Sequence, residues 1–203
     1  AVDKAEDEQD LALLVNAKAV EVLAKACSKS DVRLIHISTD YVFDGTNYMP
    51  YKETDETSPN SYYGLSKIEG EKAVLNNCNN HIIIRTSWLY SSYGNNFVKT
   101  MIRLGNEREE LGVVVDQIGT PTYAADLAYA IMSAVDSETT GLYHYSNSGV
   151  ISWYDFAKSI MDICNINCRV KPIESKDFPA KANRPFYSVL NKSKISTDFE
   201  LEV

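Results

Sequence analysis

Between positions 7 and 28, Leu11, Leu14, Val15, Val22 and Leu23 recur at helical spacing among Ala, Glu and Lys, residues that favour helix. This stretch predicts one long amphipathic helix. The run Val32-Arg33-Leu34-Ile35-His36-Ile37 follows, too short for a helix and rich in β-branched residues, so it predicts a strand. His81-Ile82-Ile83-Ile84, Val113-Val114-Val115 and Leu142-Tyr143-His144-Tyr145 are similar runs. Their near-continuous apolar character implies burial on both faces, as in a parallel sheet. Helical patterns lie between them, over 61–76, 95–108, 122–135 and 152–163; Ser152 and Asp155 resemble a helix entrance, and Gly141 punctuates helix and strand. Strand and helix alternating at this interval predict a doubly wound α/β domain. From Lys171 onward the chain is polar, holds three of the six prolines, and predicts loops and turns capping a site.

Composition narrows the function classes. The 203 residues carry 20 Lys and Arg against 28 Asp and Glu, a net charge of −8, so clustered phosphate contacts to nucleic acid are not expected. No apolar run approaches the roughly 18 residues of a membrane helix, and the first residues are acidic where a signal peptide is basic and then apolar. A cytoplasmic protein without membrane contact is expected. Four scattered cysteines do not make a disulfide framework. Cys164 and Cys168 have no neighbouring histidine, so buried free thiols are expected rather than a metal site.

The nine glycines stand at 45, 64, 70, 94, 105, 112, 119, 141 and 149. A dinucleotide-binding turn needs glycines separated by two and three positions, and a P-loop by five. Neither is present in these residues.

The candidate chemistry begins at Ile35-His36-Ile37-Ser38-Thr39-Asp40-Tyr41, which places hydroxyls at the carboxyl end of a predicted strand, the edge where open α/β sheets bind ligands. Tyr63 and Lys67 then share one face of a predicted helix. An ammonium beside a phenol favours phenolate and lowers a pKa that starts near 10, letting the tyrosine pass a proton close to neutrality. A lone Tyr-x-x-x-Lys is commonly a solvated helix face; its place after a strand ending in hydroxyls points to catalysis.

Six ordered motifs make the resemblance specific: Ser38-Thr39-Asp40-Tyr41-Val42-Phe43-Asp44-Gly45, Tyr63-Gly64-Leu65-Ser66-Lys67-Ile68-Glu69-Gly70-Glu71, Arg85-Thr86-Ser87-Trp88-Leu89-Tyr90, Gly94-Asn95-Asn96-Phe97-Val98-Lys99-Thr100-Met101, Asp116-Gln117-Ile118-Gly119-Thr120-Pro121-Thr122 and Arg184-Pro185-Phe186-Tyr187-Ser188-Val189-Leu190. Together they resemble the dTDP-4-dehydrorhamnose reductase family of extended short-chain dehydrogenases/reductases. The resemblance implies a partial Rossmann-like doubly wound domain over 1–90. It implies a mainly substrate-binding region over 91–203, with segments near 112–150 returning to the sheet. It also implies reduction of a dTDP-linked 4-keto sugar with NADPH, or NADH, and a possible homodimer. Thr39, Tyr63 and Lys67 take the catalytic positions of the family. Ser38, Tyr63, Lys67 and Thr86 take cofactor positions, and Asp40, Tyr41, Trp88, Asn95, Asn96 and Arg184 take substrate positions. Trp88 can equally fill core, the Asn95-Asn96 pair can cap the following helix, and Asn16 can support the backbone near the site or be a satisfied core amide.

One departure is plain. The family opens with a glycine-rich turn that packs cofactor diphosphate against a helix N-terminus, whereas Ala1 already matches the segment after the fourth strand, about sixty residues further on. The expectation is that this chain alone neither binds NADPH tightly nor turns over. The rival expectations are a nucleotide-sugar epimerase or dehydratase of the same fold, and a non-catalytic regulatory subunit resembling that of methionine adenosyltransferase.

Overall fold

In the computed structural model, residues 2–135 and 137–202 are described, which leaves the register at Ala1 outside them. The elements in chain order are α1 (Val2–Asp7), α2 (Gln9–Leu13), a π-helical turn (Leu14–Lys18), α3 (Ala19–Lys29), β1 (Leu34–Thr39), α4 (Tyr62–Asn77), β2 (His81–Thr86) and β3 (Leu89–Tyr90). They continue with α5 (Phe97–Glu107), β4 (Glu110–Val114), β5 (Ile118–Gly119), β6 (Thr122–Tyr123), α6 (Ala124–Val135) and β7 (Gly141–His144), then β8 (Ile151–Ser152), α7 (Trp153–Ile163), β9 (Arg169–Ile173) and α8 (Ser193–Asp198).

The central sheet is parallel, in the order β1-β2-β7. Every residue of the middle strand β2 is buried, as its apolar run predicts, whereas Leu34 to Ile37 of β1 are half-buried because, among the described residues, only β2 pairs with that strand. The register sets Thr39 opposite Thr86, Ser38 opposite Arg85, and Arg85 opposite His144. Polar groups of three strands therefore meet at one carboxyl edge. Below it, Ile82, Ile84, Leu127, Ala130, Tyr143 and Ile195 form the core against α6 and α8. Each large side chain removed from water there contributes about 1.5–3 kcal/mol.

Three expectations, on the helix over 7–28, the tail and the cysteines, need correction. The predicted helix over 7–28 forms, but Leu11, Leu14, Val15, Val22 and Leu23 are all exposed; it packs on α4 through Val20 and Ala24, small enough for close helix approach. Within 112–150, β7 joins the central sheet while β4 pairs in parallel with β9 in a separate two-stranded sheet. The tail expected to be loops thus contributes a strand and the helix α8. Its strand was hidden because β9 has no buried residue and carries Arg169, Lys171 and Pro172 among its five residues. Among the cysteines expected to be buried, Cys78 and Cys168 are, Cys27 is half-buried, and Cys164 is exposed because it caps the carboxyl end of α7.

The second lobe has its own core: Met101, Leu111, Val113, Ala157, Ile160, Met161 and Cys168 pack between α5, α7 and the β4–β9 pair. Ser152 and Asp155 form a reciprocal capping box at the start of α7, as predicted. No helix among the described residues is long and apolar enough to cross a membrane.

Candidate active site

Thr39 ends β1 and caps the single helical turn at 40–42, accepting from the Tyr41 amide at 3.2 Å. Its hydroxyl donates to Asp40 Oδ1 at 2.9 Å. Asp40 is 2% exposed, and burial pushes its carboxyl up to about 6 against the hydrogen bonds that favour the charge. It lies behind Thr39 rather than in the open.

Tyr63 enters from the first turn of α4, whose start is fixed by the Ser61 hydroxyl accepting from the Gly64 amide at 3.2 Å. A Cβ at Gly64 would strike the Tyr41 carbonyl, so glycine lets α4 approach the turn after β1. The Tyr63 ring meets Tyr41 edge-on, with centroids 5.6 Å apart. Burial raises the phenol pKa, the nearby Asp40 carboxylate raises it further, and a hydrogen bond with Thr39 pulls the other way. The Tyr63 carbonyl accepts from Ser66 Oγ at 2.8 Å, and that oxygen accepts from Asn16 Nδ2 at 2.9 Å. Asn16 thus holds the backbone of α4 from the π-helical turn.

Lys67 lies one turn beyond Tyr63, and its ammonium donates to the Ile37 carbonyl at 2.6 Å. Burial lowers the Lys67 pKa, and the Glu71 carboxylate opposes that shift. The expected lowering of the phenol pKa by this ammonium is corrected: the net movement at Tyr63 is upward, because burial outweighs what favours phenolate. Glu71 is itself held by Arg85 of β2, through Nε–Oε1 at 2.9 Å and Nη2–Oε2 at 2.7 Å. Both side chains are at most 3% exposed.

Ser38 is buried with its hydroxyl unpartnered among the described residues, and Thr86 donates to Thr122 Oγ1 at 3.3 Å. Arg184 lies beside Tyr41, with its guanidinium on Asp3 at 2.8 and 3.2 Å. It also lines a cavity of about 460 Å³ with Phe97, Met101, Leu104, Gln117 and Trp153. Trp88 stacks on Trp153. Asn96 caps α5, accepting from the Lys99 amide at 3.1 Å and donating to the Ser91 carbonyl at 2.7 Å; Asn95 is exposed before it. The structure therefore gathers Ser38, Thr39, Asp40, Tyr41, Tyr63 and Lys67, sets Arg184 at their rim, and leaves Asn95 and Asn96 at a helix entrance.

The family model for the RmlD substrate binding domain matches residues 1–203. The chain is 44% identical to the dTDP-4-dehydrorhamnose reductase of Salmonella typhimurium, over 99% of this chain and 71% of that protein. This chain belongs to the dTDP-4-dehydrorhamnose reductase family. The crystal structure of the Bacillus anthracis reductase in complex with NADP superimposes with a TM-score of 0.95 at 46% identity, covering 97% of this chain and 70% of that one. The Clostridium acetobutylicum reductase gives the same TM-score at 44% identity, over 98% of this chain and 71% of its own.

In this reductase-family chain, sequence reasoning missed two sets of residues around the site. Glu71 and Arg85 form the buried pair behind Lys67; the signal was there, since Tyr63, Lys67 and Glu71 are each four residues apart and so share a helix face. Trp153 and Gly119 surround Trp88, and no local spacing announces that contact.

Proposed function

We propose that the protein reduces the 4-keto group of dTDP-4-dehydro-L-rhamnose with NADPH, giving dTDP-L-rhamnose and NADP⁺. The observation that carries this reading is the meeting of the Thr39 and Tyr63 side chains at the carboxyl edge of β1, with the Lys67 ammonium on the same strand's Ile37 carbonyl. The residues fit the nicotinamide end of the cofactor. Ser38 offers a buried hydroxyl without a partner, and Lys67 has donors left for a ribose beyond the one spent on Ile37. The hydride added at sugar C4 is what bound NADPH supplies.

Tyr63 supplies the proton to the oxygen that gains charge. Its raised pKa keeps the phenol protonated at neutral pH, so it starts each turnover as an acid. Thr39 is fixed by its hydrogen bond with Asp40 and stands beside Tyr63, where its hydroxyl helps hold the substrate oxygen that Tyr63 protonates. Arg184 suits the diphosphate by its forked geometry, with Asp3 holding the guanidinium at the cavity wall. Trp88 flanks the sugar. A cytoplasmic setting fits four cysteines of which none is paired.

The test is NADPH oxidation on addition of dTDP-4-keto sugar to the protein that carries this chain, with the product identified as dTDP-rhamnose. Absorbance loss that ignores the sugar would sink the proposal.

A further inference from the structure

We propose that Gly119 and Trp153 are positioning residues for the sugar end of the site and act through Trp88. This rests on the reading above that Trp88 flanks the sugar. Among the described residues, Asp31, Trp88, Asn165 and Glu200 are the non-glycine positions with positive φ, and Trp88, at +47°, is the one bulky aromatic. An aromatic residue in that region is strained and persists only where its surroundings over-determine it.

The surroundings do so twice. On the backbone, Ser87 Oγ donates to the Thr120 carbonyl at 2.7 Å, and the Thr122 amide donates to the Trp88 carbonyl at 3.2 Å. At the side chain, the Trp88 ring stacks on Trp153 with centroids 3.6 Å apart and planes 11° from parallel. A Cβ at Gly119 would lie 2.6 to 2.8 Å from Trp88 Cε2, Cζ2 and Nε1, so this position has room for glycine alone.

Gly119 and Trp153 are not independent. β5 and β8 pair antiparallel, with Gly119 opposite Ile151 and Ile118 opposite Ser152, and Trp153 follows at once. One short ribbon therefore carries both surfaces that hold the indole. Trp153 also lines the 460 Å³ cavity with Arg184 and Gln117, so its ring stands between that cavity and Trp88. A fixed, flat, apolar plate favours the C–H face of a sugar ring and adds nothing for the nucleotide.

These are the only two tryptophans of the chain, so their stacking has its own spectroscopic signature, an exciton couplet in circular dichroism. The experiment compares the unsubstituted protein with Gly119→Ala, Trp153→Ala and Trp153→Phe, titrating each calorimetrically with dTDP-L-rhamnose and with dTDP. The couplet is expected in the unsubstituted protein and lost in Gly119→Ala while the thermal transition stays cooperative. Gly119→Ala and Trp153→Ala should weaken dTDP-L-rhamnose about tenfold or more and dTDP less than about threefold, with Trp153→Phe within about threefold of the parent for both. Equal weakening of both ligands, unchanged sugar affinity once the couplet is gone, or no couplet in the parent would overturn the proposal. Should Gly119→Ala not fold, the two Trp153 variants decide it. A parent that binds dTDP-L-rhamnose but oxidises no NADPH overturns the reductase reading alone, whereas one that binds no dTDP-sugar overturns both.

Discussion

The sheet half and the second lobe bury different chemistry. At the carboxyl edge of β1, β2 and β7, the interior holds Ser38, Thr39, Asp40, Glu71, Arg85 and His144, whereas the core cluster of the lobe built from α5, α7, β4 and β9 is formed by Met101, Leu111, Val113, Ala157, Ile160, Met161 and Cys168. Buried charges and hydroxyls are costly unless every partner is in place, so a polar interior specifies one arrangement at the expense of stability. An apolar interior tolerates small changes and leaves its aromatic rim free to form a binding surface. The sheet half therefore supplies the reacting groups, and the lobe supplies the wall against which a ligand rests.

The largest expected effect breaks the polar half. Replacing Arg85 by Met leaves the Glu71 carboxylate buried and unpaired, which should cost about 3–5 kcal/mol in urea unfolding. Adding Glu71→Leu to Arg85→Met should recover most of that loss, because an apolar pair avoids the desolvation penalty. A single substitution costing under about 1 kcal/mol would show that the pair is not what holds α4 to β2. Next comes Tyr63→Phe, which keeps the ring against Tyr41 and removes the proton. It should lower kcat by about 100-fold or more, near 2.7 kcal/mol, with stability little changed. Near-normal turnover would take the general-acid role from Tyr63.

The difference between the two halves also decides what was legible in the sequence. Runs such as Ile82-Ile83-Ile84 announce a strand buried on both faces, and the i, i+4 spacing of Tyr63 and Lys67 on α4 placed both beside the β1 edge. Local period and local chemistry agree there. β9 escaped notice because its side chains are largely solvated and its pairing with β4 is long-range. The Leu and Val residues of 11–23 pointed to the wrong face of the first long helix, since periodicity reports an apolar stripe but not what covers it. The stacking of Trp88 on Trp153, and the upward movement of the Tyr63 pKa, both depend on what tertiary structure brings near, which no spacing encodes.

A smaller effect sharpens the comparison through pH. Burial, helped by Arg85, depresses His144 to about 3, and burial with Lys67 depresses His36 to about 4. An unfolded histidine titrates near 6.5, so below that pH the unfolded chain binds more protons and stability falls, by about 1.4 kcal/mol per pH unit for each. Asp40 works in the opposite sense: with its carboxyl raised to about 6, the folded chain binds the extra proton between about 4 and 6, and stability falls there as pH rises. Two histidines against one carboxyl leave a net slope of about 1.4 kcal/mol per unit between pH 4 and 6, with the protein weaker in acid. Replacing His144 by Gln should flatten that slope, measured as urea midpoints across the range. An unchanged slope would mean that His144 does not carry its share. The lobe's core cluster holds no histidine, so the two depressed histidines of this window belong to the sheet half.

The smallest effect tests the face that neither half covers. Leu14 is 58% exposed and Val22 66%, on a helix that buries Val20 and Ala24 against the sheet half. If the buried contacts hold that helix, Leu14→Lys and Val22→Lys should each move the unfolding free energy by no more than about 0.5 kcal/mol. Ala24→Leu, which forces a larger side chain into a position with no exposure, should cost about 1–3 kcal/mol. A loss above about 1 kcal/mol from Val22→Lys would mean that the leucine and valine stripe is buried in solution. The helix would then be held from both sides, and the contrast between a covered and an uncovered face would vanish.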